Sequence, residues 1–209
     1  MNFLAHLYLA DTDDSDSVIG NMLADFITPP VERHYSAAVR RGIRRHRRID
    51  RYTDHHPLFR RSTARISGKY RLLRGIMVDL FYDHFLARHW ADYHSIPLES
   101  FCEQVYGHLT SRKGELPERM QLVVTYMVRD NWLVSYRDLT GIQWALSGLS
   151  RRLSRPTPLH EGIEELHRNY AGLEADFRAF FPELVAFVED LRQSETSEGE
   201  AGDSHPPVS

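Results

Sequence analysis

The chain has 209 residues, of which 42% are hydrophobic and 26% charged, a composition typical of one globular domain with a sizeable core. No apolar run approaches the roughly 18 residues that span a bilayer, and the acidic residues after the apolar start argue against a signal peptide. A single cysteine, Cys102, excludes an internal disulfide and favours a reducing compartment, so we expect a cytoplasmic protein that packs this thiol in its core.

The net charge of −3 hides a strong asymmetry along the chain. From Arg33 to Arg74 there are 14 basic residues and two acidic ones, whereas Glu161 to Asp203 holds 12 acidic residues and three arginines. Nearly all of the basic residues are arginine, which grips phosphate and carboxylate groups with defined geometry. The basic segment therefore predicts an anionic partner, with a solvated helix face as the alternative.

Helical periodicity recurs along nearly the whole chain, and alternation with a period of two is rare. The breaks fall at prolines, and Pro182 is expected to kink the last helix. The predicted class is all-α, a single-domain helical bundle over 1–192, followed by a disordered acidic tail over 193–209 that is rich in Ser, Gly and Pro. The predicted helices are 2–9, 17–27, 36–54, 57–66, 70–93, 98–112, 117–135, 140–152 and 158–191.

The first two predicted helices place polar groups among apolar ones. Asn2 and His6 form an i, i+4 pair amid the apolar residues of "MNFLAHLYLA". In "SVIGNMLADFI", Asp25 falls on the apolar side of the helix, one turn after Asn21. Burying such groups costs several kcal/mol unless a partner compensates, so each pattern predicts a partner.

The same pattern returns in the basic helix, "GIRRHRRIDRYTD". His46, Asp50 and Asp54 follow i, i+4, i+8 spacing and therefore share one face. Arginines cover much of the opposite side. We expect the first face to turn toward the interior and the second toward solvent.

A further pair lies in "DLFYDHFLARHW". On a helical wheel His84 falls inside an apolar arc and Asp83 at its edge, so both side chains are expected to point inward. His89 lies about 140° from His84 around the wheel, which favours a structural or rim position.

Four separate helices thus offer inward-facing carboxylates and imidazoles. Such groups, without thiolates, suit Mn²⁺, Mg²⁺ or Fe²⁺ and also accept Zn²⁺. Buried His–Asp and Arg–Asp structural pairs are the alternative, although one shared ion would compensate all of these groups together. The sequence has no HExxH, Gly-rich phosphate loop or GxSxG motif.

Two aromatic segments near the middle of the chain are less specific. In "NWLVSYRD" we expect Trp132 and Tyr136 to belong to the core, with Tyr136 and Arg137 placed to form a lip of the site. "TGIQWALSGLS" contains Gly141 and Gly148 but lacks the strand-to-helix context of a nucleotide loop.

Taken in order, "MNFLAHLYLA", "GNMLADFI", "HRRIDRYTD", "YDHFLARHW" and "WLVSYRD" resemble the acyl carrier protein phosphodiesterase family from Met1 to about residue 190. That family is regarded as a branch of the HD-domain phosphohydrolases with a rearranged helix order. The pair here reads Asp83-His84, the reverse of the usual His-Asp. The resemblance implies hydrolysis of the phosphodiester between 4′-phosphopantetheine and a serine of holo-acyl carrier protein, with Mn²⁺ the expected metal.

The resemblance also implies roles for particular residues. The expected metal ligands are Asp25, His46, Asp83 and His84. The expected supporting or alternate ligands are His6, Asn2, Asn21, Asp50 and Asp54, with Asp50 also counted among the catalytic residues. Arg47 and Arg48 are expected to stabilise phosphoryl charge. The acidic carrier protein is expected to dock on Arg40, Arg41, Arg44, Arg45, Arg51, Arg60, Arg61 and Arg65.

Two other functions stay open at this stage. An HD-type nucleotide phosphohydrolase would keep the metal and change the substrate. A nucleic-acid-binding helical protein would use the arginine-rich helix on phosphates, but it leaves Asp25, Asp83 and His84 unexplained. We expect neither nucleic acid nor membrane as a partner, and the sequence does not indicate the oligomeric state.

Overall fold

The computed structural model describes residues 1–152 and 157–202, which form eleven α-helices and no strand, so the all-α prediction is confirmed for these residues. None of the described helices is long and apolar enough to cross a membrane. Four short 3-10 turns connect some of the helices. The helices are α1 (Phe3–Tyr8), α2 (Ser15–Leu23), α3 (Pro29–Glu32), α4 (Ala37–His55), α5 (Pro57–Arg65), α6 (Arg74–Arg88), α7 (Leu98–Ser111), α8 (Glu118–Arg129), α9 (Trp132–Ser135), α10 (Leu139–Arg152) and α11 (Ile163–Gly202).

Two of the predicted helices are divided in the structure. The segment predicted over 70–93 begins as a 3-10 turn, and α6 starts only at Arg74, after Arg71 with a φ of 47°. The segment predicted over 117–135 breaks between α8 and α9 at Asn131, whose φ is 46°. Asn is one of the few side chains that tolerates this left-handed region, so it permits the sharp turn.

The last helix is longer than the sequence predicts. Pro182 lies inside α11, which continues past it to Gly202. The backbone over 193–202 is therefore helical where a disordered tail is expected, and residues 203–209 lie outside the described residues. An ion pair between Arg45 of α4 and Glu195, 2.5 Å long, ties this part of α11 to the rest of the molecule.

Local sequence explains where the basic helix begins and ends. Ser36 caps the N-terminus of α4, and its hydroxyl accepts a hydrogen bond from the Val39 amide at 3.1 Å. Pro57 ends the helix because its ring disfavours the α conformation in the preceding residue, and it becomes the first residue of α5.

Helix α6 runs through the centre of the molecule, and every residue from Met77 to Ala87 except Asp79 is buried. Aromatic side chains from α11 pack against it, among them Phe177, whose ring centroid lies 5.4 Å from that of Tyr82. Helix α1 lies against the opposite part of α6, and its residues Leu4, Ala5 and Leu7 belong to the same core. Both helices are therefore fixed by apolar packing, which positions the polar groups that they carry.

Helices α2 and α4 touch through their backbones. A Cβ atom added at Gly20 would lie 2.3 Å from the carbonyl oxygen of Val39, and one added at Gly42 would lie 2.9 Å from the Cα of Gly20. Neither glycine can therefore be replaced without moving a helix. This close crossing brings the end of α2, with Asp25 just beyond it, against the middle of α4, which carries His46.

Candidate active site

The first and fourth helices bring two histidines and an aspartate together. The rings of His6 and His46 stack with centroids 3.7 Å apart and planes 10° apart. Asp50 lies below both rings, with Oδ1 3.0 Å from His6 Nε2 and Oδ2 3.1 Å from His46 Nε2. One potential ligand atom from each of the three residues lies within 4.8 Å of the others. We call these three residues together with Asp25 the α1–α4 cluster.

Asp25 completes the cluster from the end of α2. Its Oδ1 atom lies 3.4 Å from His46 Nε2, and 53% of its side chain is exposed, whereas only 4% of the His46 side chain is. Asp25 is therefore the most exposed member of the cluster, and both histidines are buried.

The charges of the cluster are strongly coupled. Burial opposes protonation of His46, but hydrogen bonds to Asp25 and Asp50 prevail and raise its pKa to about 9. Burial and the neighbouring His46 lower the pKa of His6 to about 4. Burial alone would raise the pKa of Asp50, yet the hydrogen bonds from both histidines hold it well below its usual range. One cationic and one neutral imidazole thus face two carboxylates.

The donor set of the cluster fits a divalent cation. Donor atoms at right angles around a small divalent ion, each about 2.1 Å from it, lie about 3 Å from one another. Asp50 lies 3.0 Å from His6 Nε2 and 3.1 Å from His46 Nε2, and Asp25 lies 3.4 Å from His46 Nε2. The Nε2 atoms of His6 and His46 face the cluster, whereas their Nδ1 atoms are buried and have no hydrogen-bond partner among the described residues. Imidazole and carboxylate groups of this kind suit Mn²⁺, Mg²⁺ or Fe²⁺.

A further carboxylate, which the sequence analysis missed, borders the cluster. Asp79 projects from α6, and its Oδ1 atom lies 3.1 Å from the amino group of Met1, which also lies 3.1 Å from Asp50 Oδ1. Asp79 precedes Asp83 by one helical turn, and this i, i+4 relation was the available signal. Burial raises the pKa of Asp79, and its ion pair with the Met1 amino group joins α6 to the border of the cluster.

The predicted pair Asp83 and His84 does not join this cluster. Asp83 is fully buried, and its carboxylate accepts hydrogen bonds from the amides of Leu4 at 2.8 Å and Ala5 at 3.0 Å. It therefore caps the N-terminus of α1 from another helix, satisfying two amides that have no partner within that helix. Burial raises the pKa of Asp83 to about 7, although the two amide hydrogen bonds oppose this shift.

His84 points away from Asp83, toward α9 and α11. Its Nδ1 lies 2.8 Å from the carbonyl oxygen of Tyr136, and its Nε2 lies 2.9 Å from the hydroxyl of Tyr170. Both ring nitrogens are thus engaged by protein groups. The prediction of one metal site shared by Asp25, His46, Asp83 and His84 does not match this geometry, because adjacent residues on a helix point about 100° apart.

The expected supporting residues lie in different surroundings. Asn21 is buried and its Nδ2 donates to the carbonyl oxygen of Ser17 at 3.0 Å. Asp54 is exposed on the face of α4 that carries Asp50. Asn2 lies one turn before His6 and makes no side-chain hydrogen bond to any described residue. His89, placed at the rim from sequence, pairs with Glu174 of α11.

The arginines of the basic segment divide into two groups. In the first group, Arg40 donates a hydrogen bond to the carbonyl oxygen of Tyr35. Arg45 is paired with Glu195, and Arg47 is paired with Glu32. Arg61 and Arg65 both bind the buried carboxylate of Asp176. Four arginines of α4 are exposed and have no ion pair to any described residue: Arg41, Arg44, Arg48 and Arg51. We call these four the arginine stripe, because their spacing places them on one side of the helix.

Pairing with Asp176 therefore removes Arg61 and Arg65 from the predicted docking surface, and Arg60 donates to the carbonyl oxygen of Asp54 at 3.3 Å. The two residues expected to form a lip of the site differ as well. Tyr136 is buried, and Arg137 is bound to Glu99 at 2.7 Å. Cys102 is buried, as expected of a packed thiol.

A cavity of about 940 Å³ opens beside the first helix. Asn2 and Phe3 of α1 and Leu80 of α6 form one wall. The remaining walls come from α8, α9 and α10 and include Tyr126, Trp132, Tyr136, Gly141, Trp144 and Gly148. Asn2, one turn before His6 along the chain, is the wall residue nearest in sequence to the α1–α4 cluster.

Comparison with known proteins identifies one family. A family model described as acyl carrier protein phosphodiesterase matches residues 1–184. A protein of that name from Photorhabdus laumondii is 37% identical over 193 residues, covering 91% of this chain and 96% of its own. Proteins of the same name from Serratia proteamaculans and Salmonella agona are each 36% identical, covering 91% and 89% of this chain and 98% and 96% of their own. No solved structure shows a significant match.

Proposed function

This chain belongs to the acyl carrier protein phosphodiesterase family, a family of enzymes, and from that premise we propose that it hydrolyses the phosphodiester between 4′-phosphopantetheine and a serine of holo-acyl carrier protein. The products are apo-acyl carrier protein and free 4′-phosphopantetheine. The observation that carries the proposal is the convergence of His6, His46 and Asp50 with Asp25, the most exposed of the four residues. Imidazole and carboxylate groups gathered in this way suit the hydrolysis of a phosphoester.

We also propose that these four residues hold a divalent cation, most plausibly Mn²⁺, with Mg²⁺ or Fe²⁺ as substitutes. Such an ion supplies positive charge that favours ionisation of water and polarises phosphoryl oxygens. Helices α1 and α4 and the segment just after α2 carry these four residues. We propose on this basis an HD-type phosphohydrolase with a rearranged helix order, and its support is this set of His and Asp residues.

The protein groups around the cluster have separate tasks. Hydrolysis forms a bond between a water oxygen and phosphorus, and the serine oxygen leaves and takes up a proton. Asp54, exposed one turn after Asp50, is assigned the orientation of the water. Arg48 lies about 200° around α4 from His46 and belongs to the arginine stripe, so we assign it to docking, whereas Arg47 is partly neutralised by Glu32.

The test of the reaction is incubation of the purified protein with holo-acyl carrier protein and Mn²⁺, followed by measurement of intact mass. Loss of the prosthetic-group mass from the carrier is expected, and an unchanged carrier mass contradicts the proposal. Nucleotides assayed under the same conditions distinguish the HD-type nucleotide phosphohydrolase. His55→Ala is a matched control for His46→Ala, because His55 is an exposed histidine of the same helix.

The arginine stripe provides a docking surface for an acidic carrier protein. Arg44→Glu combined with Arg48→Glu should raise KM for the carrier about tenfold at low salt, because both steering and contact charges are reversed. Arg119→Glu, at an exposed position of α8, is the control. The wild-type KM should also rise with salt, and a salt-independent KM contradicts docking on this surface.

A further inference from the structure

The cavity beside α1 has a wall that the proposed reaction does not explain. Trp144 is 65% exposed and Tyr126 is 43% exposed, although both line the cavity. Large aromatic side chains on the wall of a cavity of this size are typical of sites for small organic ligands. A ligand between them would remove much of this apolar surface from water.

Gly148 of α10 lies on the cavity wall and leaves room there for a side chain. A Cβ atom at this position would meet no atom within 4 Å, so packing does not require a glycine. A glycine in a helix interior costs about 1 kcal/mol relative to alanine. Gly141 differs, because a Cβ there would lie 2.0 Å from the carbonyl oxygen of Ser135. At Gly148, helix α10 therefore leaves space beside the cavity that a side chain can fill.

The position of the cavity limits what the ligand can be. Asn2 of the cavity wall precedes His6 of the α1–α4 cluster by four residues, about 6 Å along a helix. Leu80 of the wall follows Asp79, which borders the cluster from α6. The cavity wall thus comes within one helical turn of His6 along α1.

We propose that this cavity binds the pantetheine arm of the substrate, an inference that rests on the proposed function. The arm is a flexible chain with a gem-dimethyl group, two amides and a terminal thiol, so it needs apolar walls and a few hydrogen-bonding groups. Trp144 and Tyr126 provide apolar surface. The Asn2 side chain, which makes no hydrogen bond to a described residue, can donate to or accept from an amide of the arm.

The arginine stripe and the cavity then serve the two halves of one substrate. The stripe lies on α4, and the cavity lies beyond α1, with the cluster formed where these two helices meet. The carrier protein extends from one oxygen of the phosphodiester and the arm from another. Binding both halves holds the phosphorus atom at the cluster.

The test fills the cavity without disturbing the fold. Gly148→Leu places a side chain in open space and removes a helix-interior glycine, so the folded protein should be no less stable. Gly107→Leu is the matched control, because Gly107 is an exposed glycine inside α7 whose Cβ would also meet no atom within 4 Å. We expect Gly148→Leu to raise KM for holo-acyl carrier protein at least tenfold and Gly107→Leu to leave it unchanged. Equal KM values for the two variants overturn the proposal.

A binding measurement separates this proposal from the proposed reaction. Pantetheine, which lacks the phosphate, is titrated into wild-type protein and both variants while tryptophan fluorescence is recorded. We expect saturable quenching that is smaller in Trp144→Phe, in which Trp132 of the cavity wall remains, and an affinity at least tenfold weaker in Gly148→Leu. The proposal is overturned if adenosine monophosphate binds to the protein and pantetheine does not. If wild type cleaves the holo-carrier but both glycine variants bind pantetheine equally well, the proposal that the cavity binds the arm is overturned and the proposed reaction stands. If wild type does not cleave the holo-carrier, the proposed reaction is overturned.

Discussion

Two regions of the molecule carry buried or half-buried His and Asp residues and treat them differently. In the α1–α4 cluster, His6, His46 and Asp50 face one another and have few other partners. In α6, Asp83 and His84 are bound by groups from other helices at every polar atom of their side chains. The first arrangement leaves ligand atoms available for a cation, whereas the second uses them to join helices. Burial of a His or Asp therefore indicates a partner but does not identify it.

The largest effect that tests this contrast is expected at Asp50. Asp50→Ala removes the carboxylate shared by both histidines, so we expect Mn²⁺ affinity and hydrolysis of holo-acyl carrier protein to fall at least about 100-fold, the upper range for loss of a supporting group. Calorimetric titration of Mn²⁺ and the carrier mass assay measure the two effects. Full activity in Asp50→Ala would falsify its place in the site.

Asp83→Ala should act on stability instead. It leaves the amides of Leu4 and Ala5 without a partner in a buried place, which costs on the order of 3 kcal/mol of unfolding free energy. Urea unfolding measures the change, and Mn²⁺ affinity of the folded variant should stay within a few-fold of wild type. A stable variant that has lost Mn²⁺ binding would reverse the roles assigned to Asp83 and Asp50.

The pH dependence of unfolding gives a sharper measure of the α6 pair. The folded pKa of Asp83 is about 7, above the value of 3.8 for an unperturbed carboxyl, so the folded state binds its proton more tightly. Its contribution to the unfolding free energy is thus fully present below pH 3.8 and is lost as pH rises through 7, at about 1.4 kcal/mol per unit of pKa shift.

Unfolding by urea across this range should therefore show a steeper decline in wild type than in Asp83→Asn, which carries no ionisable group at the position. Both proteins are measured with chelator, so that metal binding does not contribute. Parallel profiles for the two proteins would show that Asp83 is ionised throughout and that its amide donors outweigh burial.

The smallest effect is expected at Tyr170. Tyr170→Phe removes one hydrogen bond from His84 Nε2 and leaves the ring packed, which costs about 1 kcal/mol of unfolding free energy. Activity at saturating substrate should be unchanged. A loss of activity as large as that of Asp50→Ala would place His84 in the reaction and remove the distinction between the two regions.

The sequence predicted part of this arrangement for a physical reason. The spacing of His46 and Asp50 on α4 fixes them on one face, and the wheel correctly directed Asp83 and His84 inward. Periodicity defines a direction relative to a helix's own axis, but it does not define which neighbouring helix lies in that direction. His6 was therefore expected only in support of the site, and Asp83 was assigned to a metal instead of the end of α1.

Ion pairing was the other feature that the sequence did not show. Arg61 and Arg65 lie in a dense basic segment, and charge density alone predicted a docking surface. Their partner, Asp176, is more than 100 residues away and belongs to an apolar face of α11. Only the fold shows which arginines are neutralised by a carboxylate. The predicted docking surface is therefore reduced to the four residues of the arginine stripe.

The backbone contact between Gly20 and Gly42 sets a fixed dimension in the site. Helices kept apart by side chains can change their spacing as rotamers exchange, but helices in contact through two Cα atoms cannot approach further. Asp25 follows the first helix and His46 belongs to the second, so the glycine contact fixes the spacing of the two backbone segments that carry these groups. Coordination tolerates errors of only about 0.2 Å, and the glycine pair would therefore limit the size of the ion proposed for this cluster.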